Sequence, residues 1–555
     1  MNIIKTPCGE IRGTAGRVPG TIAYKGIRYA TAGRWEYPKQ VTSWEGIYDA
    51  TQYGHCSYQP RAFYDEELNE KKYFYYNEFR KGESYTYSED CLFLNIFTPE
   101  DAKAGDNLPV LVYIHGGGFT GGCGHEKHFD GPVWPNKGVI GVTINYRLGP
   151  MGFLCLPELA EEAGFTGNYG LYDQMVAISW VKDNIASFGG NAENITIMGQ
   201  SAGAASVQMQ AQSPLTDGLF QKAVMSSGCG LGGMMSCKLE TSMAFWQEVM
   251  KRCGCENLEQ FRALPVEKLF EVWQTAKKDV KGGAAATFPV MDGRFAVAGT
   301  PAKDIPYMAG STSHDMAPPI LQSMTKKWIS AREKPSYTWF FDRMLPGDDN
   351  GAWHSSDLWY WFGTLENCWR PMEDKDRQLS DQMIDYLCNF AKTGDPNKAA
   401  QLPTWIASDK GQNRVLCLGE KPTHMAKPGM LKLVYTMLTN KAVGEYPNKK
   451  KRSAKAERFL LEFIACVQKA HQGFVGLFVG KQRSETLVNH KGFQRKFQLT
   501  FIFQLIEAIA ESAAGEDTLG IFQIQRAHPN THQICSGAII FPRGDELFFH
   551  ISPRE

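Results

Sequence analysis

The chain has 555 residues, 43% of them hydrophobic, 12% aromatic and 21% charged, and its 59 Lys+Arg balance its 59 Asp+Glu to a formal net charge of zero. These proportions exclude wholesale disorder, collagen and coiled coil, and the balance argues against a nucleic-acid partner, which needs a basic surplus to neutralise phosphates. Fourteen irregularly spaced cysteines do not make a disulfide scaffold, and the one tight pair, Cys253-Gly254-Cys255, lacks a second Cys or His pair at zinc spacing, so neither a metal nor a cofactor is expected.

In chain order, the opening Met1–Pro7 lacks the apolar stretch and cleavage site of a signal peptide and reads as a first strand. Short apolar runs at Val110–Ile114, Val139–Asn145, Ile195–Met198, Ala223–Ser226 and Tyr307–Gly310 read as strands buried on both faces of a parallel sheet. Between them lie helical patterns such as Tyr172–Ile185, with Trp180 on its apolar side. This alternation is that of a doubly wound α/β chain, and it continues to about residue 445. After Gly444 the pattern breaks. The basic run Lys449–Arg452 reads as a solvated linker, residues 453–470 as an amphipathic helix, and residues 497–510 as a helix interrupted by Gln498, Gln504 and Glu507. No run of about 18 apolar residues occurs, so no membrane span is expected and a cytoplasmic location is. The expected domains are residues 1–445 and a C-terminal extension, 446–555, of unassigned structure and function.

Two motifs carry chemistry. Gly199-Gln200-Ser201-Ala202-Gly203 follows the strand Asn194–Met198 and precedes a helical pattern, the strand-turn-helix setting of a nucleophile elbow. The tight turn exposes the Ser201 hydroxyl and aims a helix N-terminus at the reaction centre. Flanking glycines are required because a side chain there collides with the neighbouring strand and helix. The second motif is His115-Gly116-Gly117-Gly118-Phe119, at the end of the strand Val110–Ile114. Its glycines leave backbone N–H groups free to converge on an oxyanion. Gly117 and Gly118, with the amide of Ala202, are the expected donors.

These motifs, with Gly26–Ala30, Ser88–Asn95, Asn145–Gly149, Gly167–Gln174 and Asn184–Gly190, resemble the type-B carboxylesterase family of α/β-hydrolases, over residues 1 to about 445. The resemblance implies the α/β-hydrolase fold, a mostly parallel central sheet with helices on both faces, and a triad in the order Ser, acid, His. The acid then falls in Gly310–Met316, where Asp315 stands in place of the family's usual Glu and the usual Asn and final Gly are missing. The base falls in Gly351-Ala352-Trp353-His354, at His354. His115 and His314 lie nearby in the sequence but need rearranged loops to serve. The family further implies a Cys56–Cys91 disulfide, in place of which two free thiols are expected in a reducing compartment, and a buried Arg34–Glu89 salt bridge.

Two departures bear on substrate. Only 39 positions separate Asp315 from His354, so segments that wall the pocket in such relatives are missing and a more open or differently covered pocket is expected. Gln200 stands where cholinesterases carry Glu, which favours neutral over cationic esters. The expected activity is therefore hydrolysis of neutral carboxylic esters, small molecules, through an acyl-enzyme. Trp353, Trp359, Tyr360, Trp361 and Phe362 either pack in the core or select bulky or aromatic acyl groups, as in feruloyl or p-nitrobenzyl esters. The rivals are a lipase, for which no lid helix is visible, and a non-catalytic cholinesterase-like binding domain, which typically lacks a triad member.

Overall fold

The computed structural model of the protein describes residues 2–427, except 233, 298, 399–401 and 409–413, together with three strands between 521 and 551. The chain divides into two compact units, Met1–Leu460 and Leu461–Glu555.

The first unit is built on a 13-stranded sheet. From Ile140–Ile144 through Leu108–Ile114, Gly190–Gln200, Lys222–Ser226, Tyr307–Thr312 and Tyr337–Phe341 to Val415–Leu418, every pairing is parallel. The flanks are antiparallel: Phe93–Pro99 pairs with Ile140–Ile144 on one side and His424–Ala426 with Val415–Leu418 on the other. The N-terminal strands Asn2–Thr6, Gly9–Ala15 and Thr21–Arg28 extend the first flank. The predicted strands are present within a residue or two at most ends, although Gly190–Gln200 begins earlier than expected.

Parallel strands need crossover helices, and these cover both faces. Along Leu108–Ile114, Val110, Val112 and Ile114 enter a core shared with Ile178, Trp180 and Val181 of the helix Tyr169–Asn184 and with Ala204, Ala205 and Val207 of Ala202–Gln212. Leu111 and Tyr113, pointing the other way, enter a core shared with Leu379, Met383 and Leu387 of the helix Asp374–Thr393. The strand is apolar throughout because both of its faces are buried. The fold class expected from the sequence is the one observed. Arg147 binds buried Asp173 through two nitrogens, at 2.7 and 2.9 Å, and thereby locks the segment after Ile140–Ile144 to the helix Tyr169–Asn184. Arg34 and Glu89 pair, but Glu89 is partly exposed, so this is not the buried bridge expected.

In the second unit Ile521–His528, Thr531–Ile540 and Phe548–Ile551 form an antiparallel three-stranded sheet. The residue 445 boundary and the helices expected at 453–470 and 497–510 lie outside the described residues. Among the described residues no helix is long and apolar enough to cross a membrane.

Candidate active site

Ser201 occupies the turn between the strand Gly190–Gln200 and the helix Ala202–Gln212, with φ 57° and ψ −124°. A non-glycine residue at positive φ is strained, and the surroundings must hold it there. They do so by contact: a Cβ on Gly199 would stand 2.3 Å from the Gly203 carbonyl oxygen, and one on Gly203 2.1 Å from that of Ile114. The Ser201 N–H donates to the Ser226 carbonyl at 2.9 Å, pinning the turn to the next strand. The strand-turn-helix geometry expected around Ser201 is therefore present in the backbone.

The glycine loop runs beside it. Thr120 and Gly121 both donate to the Gly117 carbonyl, at 3.1 and 3.0 Å, which curls the loop back on itself. Among the described residues the N–H groups of Gly117, Gly118 and Ala202 have no protein acceptor. Ala202 is the first residue of its helix, so its N–H is one of those left unpaired by helix geometry. His115 is buried, stacks on Tyr146 at 4.5 Å between ring centres and places Nδ1 2.8 Å from the Gly116 carbonyl. Burial lowers its pKa. Its hydrogen bond is to the loop backbone.

Asp315 and His354 meet across the ends of two strands. Asp315 follows Tyr307–Thr312; His354 lies between Tyr337–Phe341 and the short helix Leu358–Phe362. His354 Nδ1 is 2.5 Å from Asp315 Oδ1. Oδ2 of Asp315 accepts from Ser227 Oγ at 2.6 Å and from the Thr312 hydroxyl and N–H at 3.1 and 3.2 Å. Burial alone pushes the Asp315 pKa up, but His354 and the ring of donors hold it below the usual carboxylate range. For His354, burial favours the neutral ring, yet the Asp315 charge and hydrogen bond raise its pKa above the ordinary value. His314 is turned elsewhere: its Nδ1 is 2.9 Å from Ser313 Oγ, and its ring packs against Gly351.

Several contacts were not foreseen. Gln200 Nε2 lies 3.1 Å from His354 Nε2, the ring nitrogen not engaged by Asp315. Buried Asp357 accepts from Ser226 Oγ at 2.7 Å and Trp361 Nε1 at 3.1 Å, tying the His354 loop to the strand that pins Ser201; burial raises its pKa to about 6. Ser226 and Ser227 carried one readable signal, polar residues at the end of an otherwise apolar strand. The helix Tyr73–Phe79 sets Phe74 and Tyr75 edge-on against Trp353, at 5.1 and 5.8 Å between ring centres. Trp353, Trp359, Tyr360, Trp361 and Phe362 are all fully buried in one core cluster, so core packing accounts for them and the acyl-selecting role loses its support.

Cys56 and Cys91 are free thiols. Cys56 lies against Cys123 and His125, and Cys91 against Ser57. Linear spacing offered no metal constellation, yet the fold brings donor atoms of Cys56, Cys123 and His125 within 4.8 Å of one another.

Comparison with known proteins gives a consistent result. The carboxylesterase family profile matches residues 1–334 and 316–432, and the two matches meet inside the short interval between Asp315 and His354. The para-nitrobenzyl esterase of Bacillus subtilis (strain 168) is 31% identical over 487 residues, covering 76% of this chain and 95% of that protein. The bile salt-activated lipase of Rattus norvegicus is 29% identical over 504 residues, covering 72% and 78%. Among solved structures, a Geobacillus stearothermophilus carboxylesterase superposes with a TM-score of 0.65 at 27% identity, covering 79% of this chain and all of that one.

Proposed function

The chain belongs to the carboxylesterase family, and on that premise we propose that it is a serine esterase of neutral carboxylic esters, with Ser201, His354 and Asp315 as its triad. Ser201 Oγ attacks the ester carbonyl while His354 Nε2 takes its proton. The charge that appears on the carbonyl oxygen is met by the N–H groups of Gly117, Gly118 and Ala202, each such donor being worth roughly 3–4 kcal/mol in the transition state. On collapse His354 returns the proton to the departing alkoxide, leaving an acyl group on Ser201. Water, deprotonated by the same nitrogen, then releases the acid. Asp315 fixes the ring orientation and stabilises the imidazolium without itself becoming protonated.

The observation that carries the reading is the pairing of His354 Nδ1 with Asp315 at 2.5 Å, beside an elbow serine at positive φ. Neutral substrates are favoured because Gln200, the nearest side chain on the elbow, is uncharged. Retention of all three triad residues supports an enzyme over a binding domain. A series of p-nitrophenyl esters of increasing chain length, run beside a triglyceride emulsion, tests the proposal. Turnover confined to soluble esters supports it; a preference for the emulsion makes the protein a lipase, and turnover of neither returns it to a binding role.

A further inference from the structure

We propose that Cys56, Cys123 and His125 form a binding site for a thiophilic divalent cation of the zinc type, at the root of the oxyanion loop. The three donor atoms lie within 4.8 Å of one another, and Cys56 Sγ is 3.6 Å from His125 Nε2. Metal–sulfur and metal–nitrogen bonds of about 2.3 and 2.0–2.1 Å, at tetrahedral angles, place those two atoms about 3.5–3.6 Å apart. The pair therefore already stands at the separation that zinc demands. Two thiolates and one imidazole are a soft donor set, which selects zinc over calcium or magnesium. Both cysteines are buried, whereas His125 is partly exposed, which leaves a way in and room for water as the fourth ligand.

The surroundings hold the donors in place. The His125 ring lies flat on Tyr53, 4.6 Å between centres and 9° between planes. Gly124, between the two ligands on the loop, donates its N–H to Asn145 Oδ1 at 2.7 Å. Gln59, three residues after Cys56, both accepts from Gly122 N–H at 2.9 Å and donates to its carbonyl at 3.1 Å. Charge also fits. Arg61, 3.9 Å from Cys123 Sγ, is paired with Glu126 at 2.5 Å, and Arg80 is paired with Glu66 at 2.7 Å. A divalent cation on two thiolates adds no net charge to this buried region, so no uncompensated ion is created. Binding is coordination without redox change: two protons leave the Cys56–Cys123–His125 group to solvent as the cation takes two thiolates and the Nε2 lone pair. Cys123 and His125 follow directly on the loop that carries Gly117 and Gly118. The bound cation thus fastens that loop to the segment beginning at Cys56.

The full-length chain, reduced with a phosphine, stripped with a chelator and desalted, is titrated with Co²⁺ and then with Zn²⁺. The expected result is one Co²⁺ per chain with thiolate-to-cobalt charge-transfer absorption and the intense d–d bands of a tetrahedral site, displaced by Zn²⁺. Cys56→Ser and Cys123→Ser each weaken binding at least about 100-fold, because losing a direct ligand exceeds the 10–100-fold cost of losing an outer partner. His125→Gln, at a partly exposed position, weakens it in a chain whose circular dichroism is unchanged. Cys253→Ser/Cys255→Ser, which removes the other close thiol pair, leaves the titration as it was. The proposal is overturned by a folded, reduced chain without charge-transfer absorption, by absorption that survives Cys56→Ser and Cys123→Ser, or by a Cys56–Cys123 disulfide that resists the reductant.

Discussion

The side-chain amide of Gln200 lies 3.1 Å from His354 Nε2. With the ring proton on Nδ1, facing Asp315, Nε2 presents its lone pair and the Gln200 N–H donates to it. In the proposed mechanism that lone pair accepts the Ser201 proton, so Gln200 has to yield before attack. Gln200→Glu replaces the donor with a carboxylate that favours imidazolium. A unit pair at about 4 Å is worth roughly 4 kcal/mol at an effective dielectric of 20, before desolvation. The acid limb of kcat/KM should therefore move up by at least about one pH unit. Cationic esters should gain about tenfold or more over neutral isosteres. A pH profile and a selectivity ratio both unchanged would show that residue 200 stays clear of base and substrate alike.

On the proposed triad the His354–Asp315 pair should set the wild-type pH dependence. The proposed base must be neutral to act, and Asp315 raises the ring's pKa above its ordinary value despite burial. The rate should rise with pH through a midpoint above about 6.5. Asp315→Asn removes the charge that favours the protonated ring, so the midpoint should fall while kcat drops on the order of 10⁴-fold. Steady-state profiles of both proteins between mildly acidic and mildly alkaline pH decide this. A midpoint that rises in the variant would contradict the assignment of Asp315.

Ser201→Ala should abolish turnover, by about 10⁴- to 10⁶-fold, without unfolding the chain. The hydroxyl makes no hydrogen bond among the described residues, and the turn is held by Gly199, Gly203 and the bond from Ser201 N–H to Ser226. Melting temperature should stay within a degree or two, and a phosphonate ester should label only the peptide containing residue 201. Activity of more than a few per cent in the variant sinks the nucleophile.

Local pattern made much of this legible. The elbow and glycine loop each depend on a few adjacent residues whose conformations are dictated by close approach, and apolar runs such as Val110–Ile114 have no place except between two layers. Contacts made by folding were not legible. Gln200 meets His354 across 154 positions, and Cys56 meets His125 across 69. Neither leaves a mark in spacing. The aromatic cluster around Trp359 was ambiguous for a different reason, since composition cannot say whether an indole faces a pocket or a core; complete burial decided it.

The two glycines proposed as oxyanion donors should differ sharply on substitution. Gly117 has φ 107°, and a Cβ there would lie 2.1 Å from the Gly121 carbonyl oxygen, backbone that cannot step aside. Gly118 has φ 62°, and its nearest neighbour, Thr120 Oγ1, is 3.9 Å away. Gly117→Ala should displace its own N–H and cost at least about 100-fold in kcat, on the scale of a lost oxyanion donor. Gly118→Ala should pay only the left-handed backbone strain of about 1–2 kcal/mol in stability and keep most of its activity. Equal losses in the two variants would mean that the loop rearranges as a unit.

A chain ending at about residue 445 should fold and retain most of its activity on small esters. Every strand of the 13-stranded sheet lies at or before Ala426. Ser201, Asp315, His354 and the three proposed oxyanion donors come earlier still, and each is held by groups that also precede Ala426. The carboxylesterase match ends at residue 432. The opposing expectation starts from the 39-position interval between Asp315 and His354, which leaves out segments that would cover the pocket. An uncovered apolar pocket is a liability, and the amphipathic stretch 453–470 or the apolar stretch 497–510, as read from the sequence, is a candidate to cover it. The two expectations part on measurement of kcat/KM and melting temperature with and without residues 446–555. Unchanged values make the extension a separate element. A folded but inactive chain, or one melting many degrees lower, makes it a wall of the site and gives the short interval its compensation.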